Sequence, residues 1–160
     1  MKSITHTSLI LMRHGEAGHA SQDAMRALTD AGRQEVETAV QAVTERFKLG
    51  SSAHLISSPY ERARQTAAIW HRELGLRGEV EVDENTTPEG NAIRFSRRMK
   101  EQSNTWILCS HFPFVPELAS FLLTGRKDGI YLTIHTGCAL LLEPTGELGA
   151  PGSYRLSAQI

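Results

Sequence analysis

The stretch that decides the fold is residues 8–17, SLILMRHGEA, in which an apolar run leads directly into Arg13 and His14. The run has the length of a buried strand, and Gly15 favours a sharp turn where that strand ends. In an α/β protein a strand end is the usual position of functional side chains, because a rigid sheet holds a loop that is open to solvent. Arginine binds phosphate oxygens through a planar fork of donors, and a neutral imidazole is a nucleophile at pH 7. The stretch therefore indicates phosphate chemistry.

The same arrangement occurs twice more along the chain. A strand at His54–Ser57 leads into a helix that Pro59 opens and Gly75 closes, with Arg62 near its start, and a strand at Thr105–Cys109 leads into Ser110 and His111. Strands that alternate with helices predict an α/β fold, a three-layer α/β/α sandwich with a mainly parallel sheet. The carboxyl ends of parallel strands lie at one edge of a sheet. We therefore expect Arg13, His14, Arg62 and His111 to meet in one crevice.

The rest of the chain contains further helical and strand patterns. The periodicity predicts a helix from an N-cap at Thr29 to about Gly50, and another over Glu89–Gln102 with its cap near Thr87. A short strand is predicted at Glu79–Val82. Later strands, antiparallel to the others, are predicted at Ile130–Ile134, Cys138–Glu143 and Ser153–Ser157.

Composition restricts the class of protein. The chain has 160 residues, of which 40% are hydrophobic and 22% charged, so we expect one domain over residues 1–160, a monomer without a membrane segment. A net charge of −1 argues against a general nucleic-acid binder. The two cysteines lie far apart and in no metal-ligand spacing, which favours reduced thiols and a cytoplasmic protein. The histidine spacings favour no metal site and no cofactor.

Three segments together resemble the histidine phosphatase superfamily, also called phosphoglycerate-mutase-like. They are LMRHGEA at residues 11–17, SSPYERARQT at residues 57–66 and SHFP at residues 110–113. Within that superfamily the short chain and the element Leu28-Thr29-x-x-Gly32 are similar to SixA-type phosphohistidine phosphatases. The resemblance implies a phosphoglycerate-mutase-like fold and a phosphatase activity that needs no metal.

By this resemblance His14 is the nucleophile that accepts the phosphoryl group as a covalent phosphohistidine, and Arg13, Arg62 and His111 hold the phosphoryl oxygens. Cationic neighbours should keep His14 unprotonated, and its second ring nitrogen should bind a backbone carbonyl near Gly15. The resemblance also implies a general acid after the third strand, where Glu84 and Glu89 are both candidates. Glu84 is equally explained as a solvated loop residue, and Glu89 as a first-turn carboxylate of a helix.

The substrate follows from the leaving group. Phosphohistidine has an imidazole leaving group that is readily expelled, so a weak or missing acid favours phosphohistidine on a protein, such as a histidine phosphotransfer domain. Ala20, where larger relatives tend to carry a polar residue, also fits a pocket that receives a protruding side chain. The alternatives are a phosphatase for a small phosphorylated metabolite, which would need Glu84 or Glu89, and a module that binds a phosphorylated partner without turnover.

Overall fold

The apolar run after Ser8 forms a strand in the middle of a six-stranded sheet. The computed structural model describes residues 1–160. Its strands are β1 (Lys2–Ser3), β2 (Leu9–Arg13), β3 (Phe47–Lys48), β4 (His54–Ser57), β5 (Glu81–Val82), β6 (Trp106–Ser110), β7 (Ala139–Pro144) and β8 (Tyr154–Gln159). Its helices are α1 (Asp30–Arg46), α2 (Glu61–Leu74), α3 (Ala92–Arg98) and α4 (Phe114–Thr124). None of these helices combines the length and the apolar character that a membrane crossing requires.

The large sheet has the strand order β5-β4-β6-β2-β7-β8. The first four of these strands are parallel to one another, so their carboxyl ends lie along a single edge. At the other side of β2, β7 pairs antiparallel with β2 and β8 pairs antiparallel with β7. The two antiparallel pairings agree with the prediction for the end of the chain, although β8 runs in the same direction as β2. A separate two-stranded pair joins β1 to β3.

Helices cover both faces of the sheet because the strands are apolar on both faces. Leu9 and Leu11 of β2 pack into a core with side chains of α3 and α4, whereas Ile10 and Met12 pack into a second core with side chains of α1 and α2. All four side chains are 0–1% exposed. Full burial of each such side chain contributes about 1.5–3 kcal/mol. The predicted three-layer α/β/α sandwich is confirmed.

The capping residues of two helices agree with the sequence. The side chain of Thr29 accepts a hydrogen bond from the Gly32 amide at 2.9 Å, which starts α1. Gly75 ends α2 in the left-handed region with φ +57°, where a residue without Cβ is favoured. The cap at Thr29 matters for the site, since α1 begins close in sequence to the end of β2.

Three predicted elements differ from the structure. The first helix ends at Arg46 and not near Gly50, because Phe47 and Lys48 pair with β1. The helix predicted over residues 89–102 begins only at Ala92, since the Gly90 amide closes a turn on the Thr87 carbonyl and Asn91 is the true cap. Its predicted end is close to the structure, because a 3₁₀ helix over Met99–Glu101 follows α3 directly. The predicted strand at Ile130–Ile134 is wrong.

The segment 130–134 pairs with no strand. Its Thr133 and Ile134 carbonyls accept hydrogen bonds from the side chains of Gln159 and Arg13, at 2.7 and 2.9 Å, so they are not available to a ladder. Tyr131 is 95% exposed. The segment is therefore apolar in sequence but lies as an irregular loop against the sheet edge.

Candidate active site

The four residues predicted to form a crevice do meet at the carboxyl edge of the sheet. Arg13 ends β2 and His14 follows it; His111 follows the last residue of β6; Arg62 lies in the first turn of α2, after β4. The rings of His14 and His111 have their centroids 5.1 Å apart, and Nε of Arg62 lies 3.1 Å from Nε2 of His14. His14 and Arg62 are 7% and 4% exposed. The site is therefore compact and mostly shielded from water.

The hydrogen bonds of His14 define its tautomer. Nδ1 lies 2.7 Å from the Gly15 carbonyl oxygen, which can only accept, so Nδ1 carries the proton. Nε2 accepts a hydrogen bond from the Nε–H group of Arg62, since a guanidinium can only donate. Nε2 therefore carries the lone pair of the ring, which in this structure accepts the hydrogen bond from Arg62. The predicted carbonyl near Gly15 is confirmed as the partner of the other nitrogen.

The environment keeps the His14 ring neutral. Burial is the main cause, and together with the positive charges of Arg62, Arg13 and Arg26 it lowers the pKa of His14 to about 4, although the hydrogen bond to Gly15 acts in the opposite direction. The sequence pointed to the cationic neighbours, but exclusion of water is the larger effect. At pH 7 the ring is an unprotonated base.

Arg13 and Arg62 bring two positive charges to this neutral ring. Nη1 of Arg13 donates to the Ile134 carbonyl at 2.9 Å, and its buried Nε has no hydrogen-bond partner within the protein. Burial and the nearby charge of Arg62 lower the pKa of Arg13, while Glu35 raises it. Two guanidinium groups within range of each other favour an anion between them.

His111 is held by a serine that the sequence analysis did not single out. Ser58 is fully buried, and its Oγ lies 2.7 Å from Nε2 of His111 while it accepts a hydrogen bond from the Tyr60 amide at 3.3 Å. With that amide as its donor, the hydroxyl can give its own proton to Nε2, which leaves the proton of the neutral ring on Nδ1. Nδ1 is buried and has no partner within the protein.

The same environment also keeps His111 neutral. Its pKa is lowered to about 3, first by burial and then by repulsion from Arg62 and from the charge that His14 acquires when it is protonated. A neutral ring with its proton on Nδ1 can donate one hydrogen bond to a bound anion. It contributes this donor without adding a third full charge.

The two candidate acids are not part of this cluster. Glu84 begins a short 3₁₀ helix over residues 84–86, Glu89 lies in the turn before Gly90, and both side chains are exposed. Neither forms a hydrogen bond or an ion pair with Arg13, His14, Arg62 or His111. The dipole interpretation of Glu89 is wrong, because α3 begins only at Ala92.

The carboxylate that does reach the cluster belongs to Asp23. Its Oδ2 lies 3.2 Å from Nη2 of Arg62, and its main-chain oxygen accepts from Nη1 of Arg62 at 2.7 Å. No sequence signal marks Asp23, which lies in a polar segment without periodicity.

Thr66, the last residue of the SSPYERARQT element, is a second residue of the site to which the sequence assigned no role. Its buried hydroxyl accepts a hydrogen bond from the Gly15 amide at 3.2 Å and donates one to the Arg62 carbonyl at 2.8 Å.

Two arginines and an unprotonated imidazole at one edge of a mainly parallel sheet supply the positive charge and the nucleophile that phosphoryl transfer uses. The model of the histidine phosphatase superfamily (branch 1) matches residues 9–87, from β2 to the loop after β5. The chain belongs to this superfamily and is a phosphatase. His111 lies beyond the matched residues, and only the fold brings it to Arg13, His14 and Arg62.

Solved structures share the fold over nearly the full chain. The protein histidine phosphatase SixA complexed with tungstate has a TM-score of 0.83 at 24% identity, with 96% of each chain covered. A proposed phosphohistidine phosphatase SixA from Nakamurella multipartitia has 0.78 at 22%, covering 98% of this chain and 96% of its own. A histidine-to-alanine variant of the phosphoserine phosphatase from Entamoeba histolytica, in complex with phosphoserine, has 0.68 at 16%, with 96% of each chain covered. No curated protein matches the chain by sequence.

Proposed function

We propose that this phosphatase transfers a phosphoryl group from phosphohistidine on a protein to Nε2 of His14 and then to water. The observation that carries the proposal is the state of the His14 ring. A proton fixed on Nδ1 by the Gly15 carbonyl and a pKa of about 4 leave Nε2 unprotonated at neutral pH. Its lone pair becomes available for attack when the Nε–H of Arg62 turns from Nε2 to a phosphoryl oxygen. No separate base is then needed to activate it.

The surrounding side chains supply what phosphoryl transfer requires of a protein, which is position and positive charge. In the first step the Nε2 lone pair forms a bond to phosphorus while the bond to the substrate nitrogen breaks, and the substrate imidazole leaves with the electron pair. Arg13 and Arg62 bind the phosphoryl oxygens, and Nδ1 of His111 donates one hydrogen bond to them. In the second step a water oxygen attacks phosphorus, the P–Nε2 bond breaks, and inorganic phosphate leaves.

The lack of an acid within the cluster favours phosphohistidine as substrate. An alkoxide leaving group requires a proton donor, whereas an imidazole departs without one when its second nitrogen is protonated. The only carboxylate bound to the cluster, that of Asp23, has a pKa lowered by hydrogen bonds to Arg26 and Arg62 that outweigh its desolvation. It is therefore ionised at pH 7 and has no proton to give.

The surroundings of the pocket favour a protein substrate over a metabolite. Met25 is 63% exposed beside Asp23, and Phe112 is 59% exposed beside His111, with its ring 5.8 Å from the Arg13 guanidinium carbon. Tyr131, three residues before the Ile134 carbonyl that binds Arg13, is 95% exposed. Exposed apolar side chains around a small polar pocket are typical of a surface that contacts another protein.

Two free cysteines, Cys109 and Cys138, support a reducing compartment such as the cytoplasm for this activity.

A trapping experiment tests the nucleophile. A histidine phosphotransfer domain labelled with ³²P on histidine is mixed with the enzyme and quenched within milliseconds. We expect an acid-labile, base-stable label on the wild-type enzyme and none on His14→Asn, which keeps a donor for the Gly15 carbonyl. A stable label on His14→Asn would refute the assignment.

A comparison of leaving groups tests the substrate class. We expect Glu84→Gln and Glu89→Gln to leave the rate on the phosphorylated domain unchanged, and phosphoserine to be a poor substrate. If either variant instead lost activity on an alkyl phosphate but kept it on an aryl phosphate, the small-metabolite alternative would replace the proposal. A stable complex with the phosphorylated domain, without phosphate release, would favour the binding module.

A further inference from the structure

Every nitrogen of the Arg62 guanidinium has an acceptor from within the protein. Nε donates to His14 at 3.1 Å, Nη1 to the main-chain oxygen of Asp23 at 2.7 Å, and Nη2 to the Asp23 carboxylate at 3.2 Å. A guanidinium binds phosphate best through two adjacent nitrogens, and either such pair that approaches a phosphoryl group includes Nη2. The carboxylate thus lies at the nitrogen that a bidentate contact needs.

The Asp23 carboxylate is not required to hold Arg62 in place. The shorter bond from the Asp23 main-chain oxygen already fixes Nη1, and it does not depend on the side chain. The loop that carries Asp23 is also closed independently: Ala17 and Leu28 form an antiparallel bridge, and the Gly18 amide donates to the Ala27 carbonyl at 2.8 Å. A neutral side chain at position 23 would leave these contacts intact.

Because it is exposed to water, the Asp23 carboxylate can move away from Arg62. The Asp23 side chain is 56% exposed, whereas that of Arg62 is 5% exposed. A second cation, Arg26, already binds the other carboxylate oxygen at 3.1 Å. Water and Arg26 can therefore stabilise the carboxylate once its contact with Arg62 is broken.

From this geometry, and resting on the phosphate pocket of the proposed function, we propose that Asp23 sets the anion affinity of the site as an internal competitor. Its carboxylate neutralises Arg62 when the pocket is empty and is displaced from Nη2 by the phosphoryl oxygens. If the carboxylate instead stays bound to Nη2, its negative charge repels a phosphoryl dianion that binds the same guanidinium. Both effects weaken the binding of free phosphate, which is the product that must leave.

The test is direct anion binding, because it needs no turnover. Inorganic phosphate and tungstate are titrated by calorimetry into the wild type, Asp23→Asn and a control, Glu45→Gln, at 0.15 M salt. Glu45 is an exposed carboxylate near the far end of α1 and loses the same charge. We expect Asp23→Asn to bind both anions roughly threefold to tenfold more tightly, because it removes one negative charge that lies within about one Debye length of the bound anion. Glu45→Gln should match the wild type.

Unchanged or weaker binding in Asp23→Asn overturns the proposal, and weaker binding would assign the carboxylate a positioning role for Arg62. A gain of equal size in Glu45→Gln also overturns it, because the effect would then be one of net charge. Failure of the pocket itself gives a different result, since the wild type and every variant would then bind neither anion. Inhibition by inorganic phosphate provides a second readout: its inhibition constant should fall by the same factor in Asp23→Asn.

Discussion

The two buried neutral histidines make the stability of this protein unusually sensitive to mild acid. The pKa values of His14 and His111 in the native state are about 4 and about 3, against about 6.5 in an unfolded chain. As the pH falls through 6.5, the unfolded chain takes up two protons that the native state does not bind. Stability is therefore retained above pH 6.5 and is lost progressively as the pH falls toward the native values.

The size of the effect follows from the two shifts. A pH of 5 lies about 1.5 units below the pKa of the two rings in the unfolded chain, so those rings are mostly protonated. In the native state the rings remain mostly neutral at this pH. At about 1.4 kcal/mol per unit, each ring then favours unfolding by about 2 kcal/mol, or about 4 kcal/mol for the pair. Screening by solvent reduces this little, because the residues are 7% and 1% exposed. The loss is a large share of the 5–15 kcal/mol that typically stabilises a domain.

Urea unfolding at pH 7 and pH 5 measures the loss. The test variant is His14→Asn/His111→Gln, in which each amide replaces the ring nitrogen that is hydrogen-bonded and neither side chain titrates. We expect the wild type to lose about 4 kcal/mol more than this variant between the two pH values. The control is His6→Asn/His135→Asn, which alters two exposed histidines and should lose as much as the wild type. Equal losses in the wild type and the test variant would refute the two native pKa values.

Three further changes test how the site is held. Ser58→Ala removes the partner of His111 Nε2 and should lower kcat about tenfold to a hundredfold, the equivalent of a buried hydrogen bond, while Ser58→Thr keeps the hydroxyl and most of the rate. Thr66→Val leaves the Gly15 amide without an acceptor and should lower the free energy of unfolding by about 1–3 kcal/mol, whereas Thr66→Ser should not; a neutral Thr66→Val would contradict this hydrogen bond. Gly32→Ala places a Cβ against the Glu16 carbonyl and should lower the free energy of unfolding by about 1–3 kcal/mol. It should also reduce activity, since Glu16 lies two residues from His14. The control in both denaturation and kinetics is Gly78→Ala, whose Cβ meets nothing within 4 Å.

The elements that position Arg13, His14, Arg62 and His111 could be predicted because local signals and tertiary structure agree there. Each lies at or shortly after the end of an apolar run that forms a strand, and the parallel order of those strands brings their ends together. The segment 130–134 failed for the opposite reason. Its apolar residues satisfy the pattern of a strand, but its carbonyls bind the side chains of Arg13 and Gln159, and only the folded chain shows this competition.

Asp23 and Ser58 illustrate a second limit of the sequence. Both act through contacts with residues far along the chain: Asp23 with Arg62, and Ser58 with His111. A polar residue in a loop has the same local signature whether it is solvated or bound to a buried cation. The acid predicted at Glu84 or Glu89 depended on analogy alone, and the exposed positions of both side chains give it no support from geometry.

The bridge between Ala17 and Leu28 has an evolutionary consequence. The segment between them leaves and re-enters the fold at one point, so its length and composition can change without altering the register of β2 or the start of α1. To hold Arg62 in place, a replacement needs a main-chain oxygen within reach of Nη1 of Arg62, and a backbone carbonyl is available from every amino acid. Substrate preference can therefore diverge in this segment while the residues that handle the phosphoryl group stay the same, and exchange of the segment between relatives is a route to new specificity.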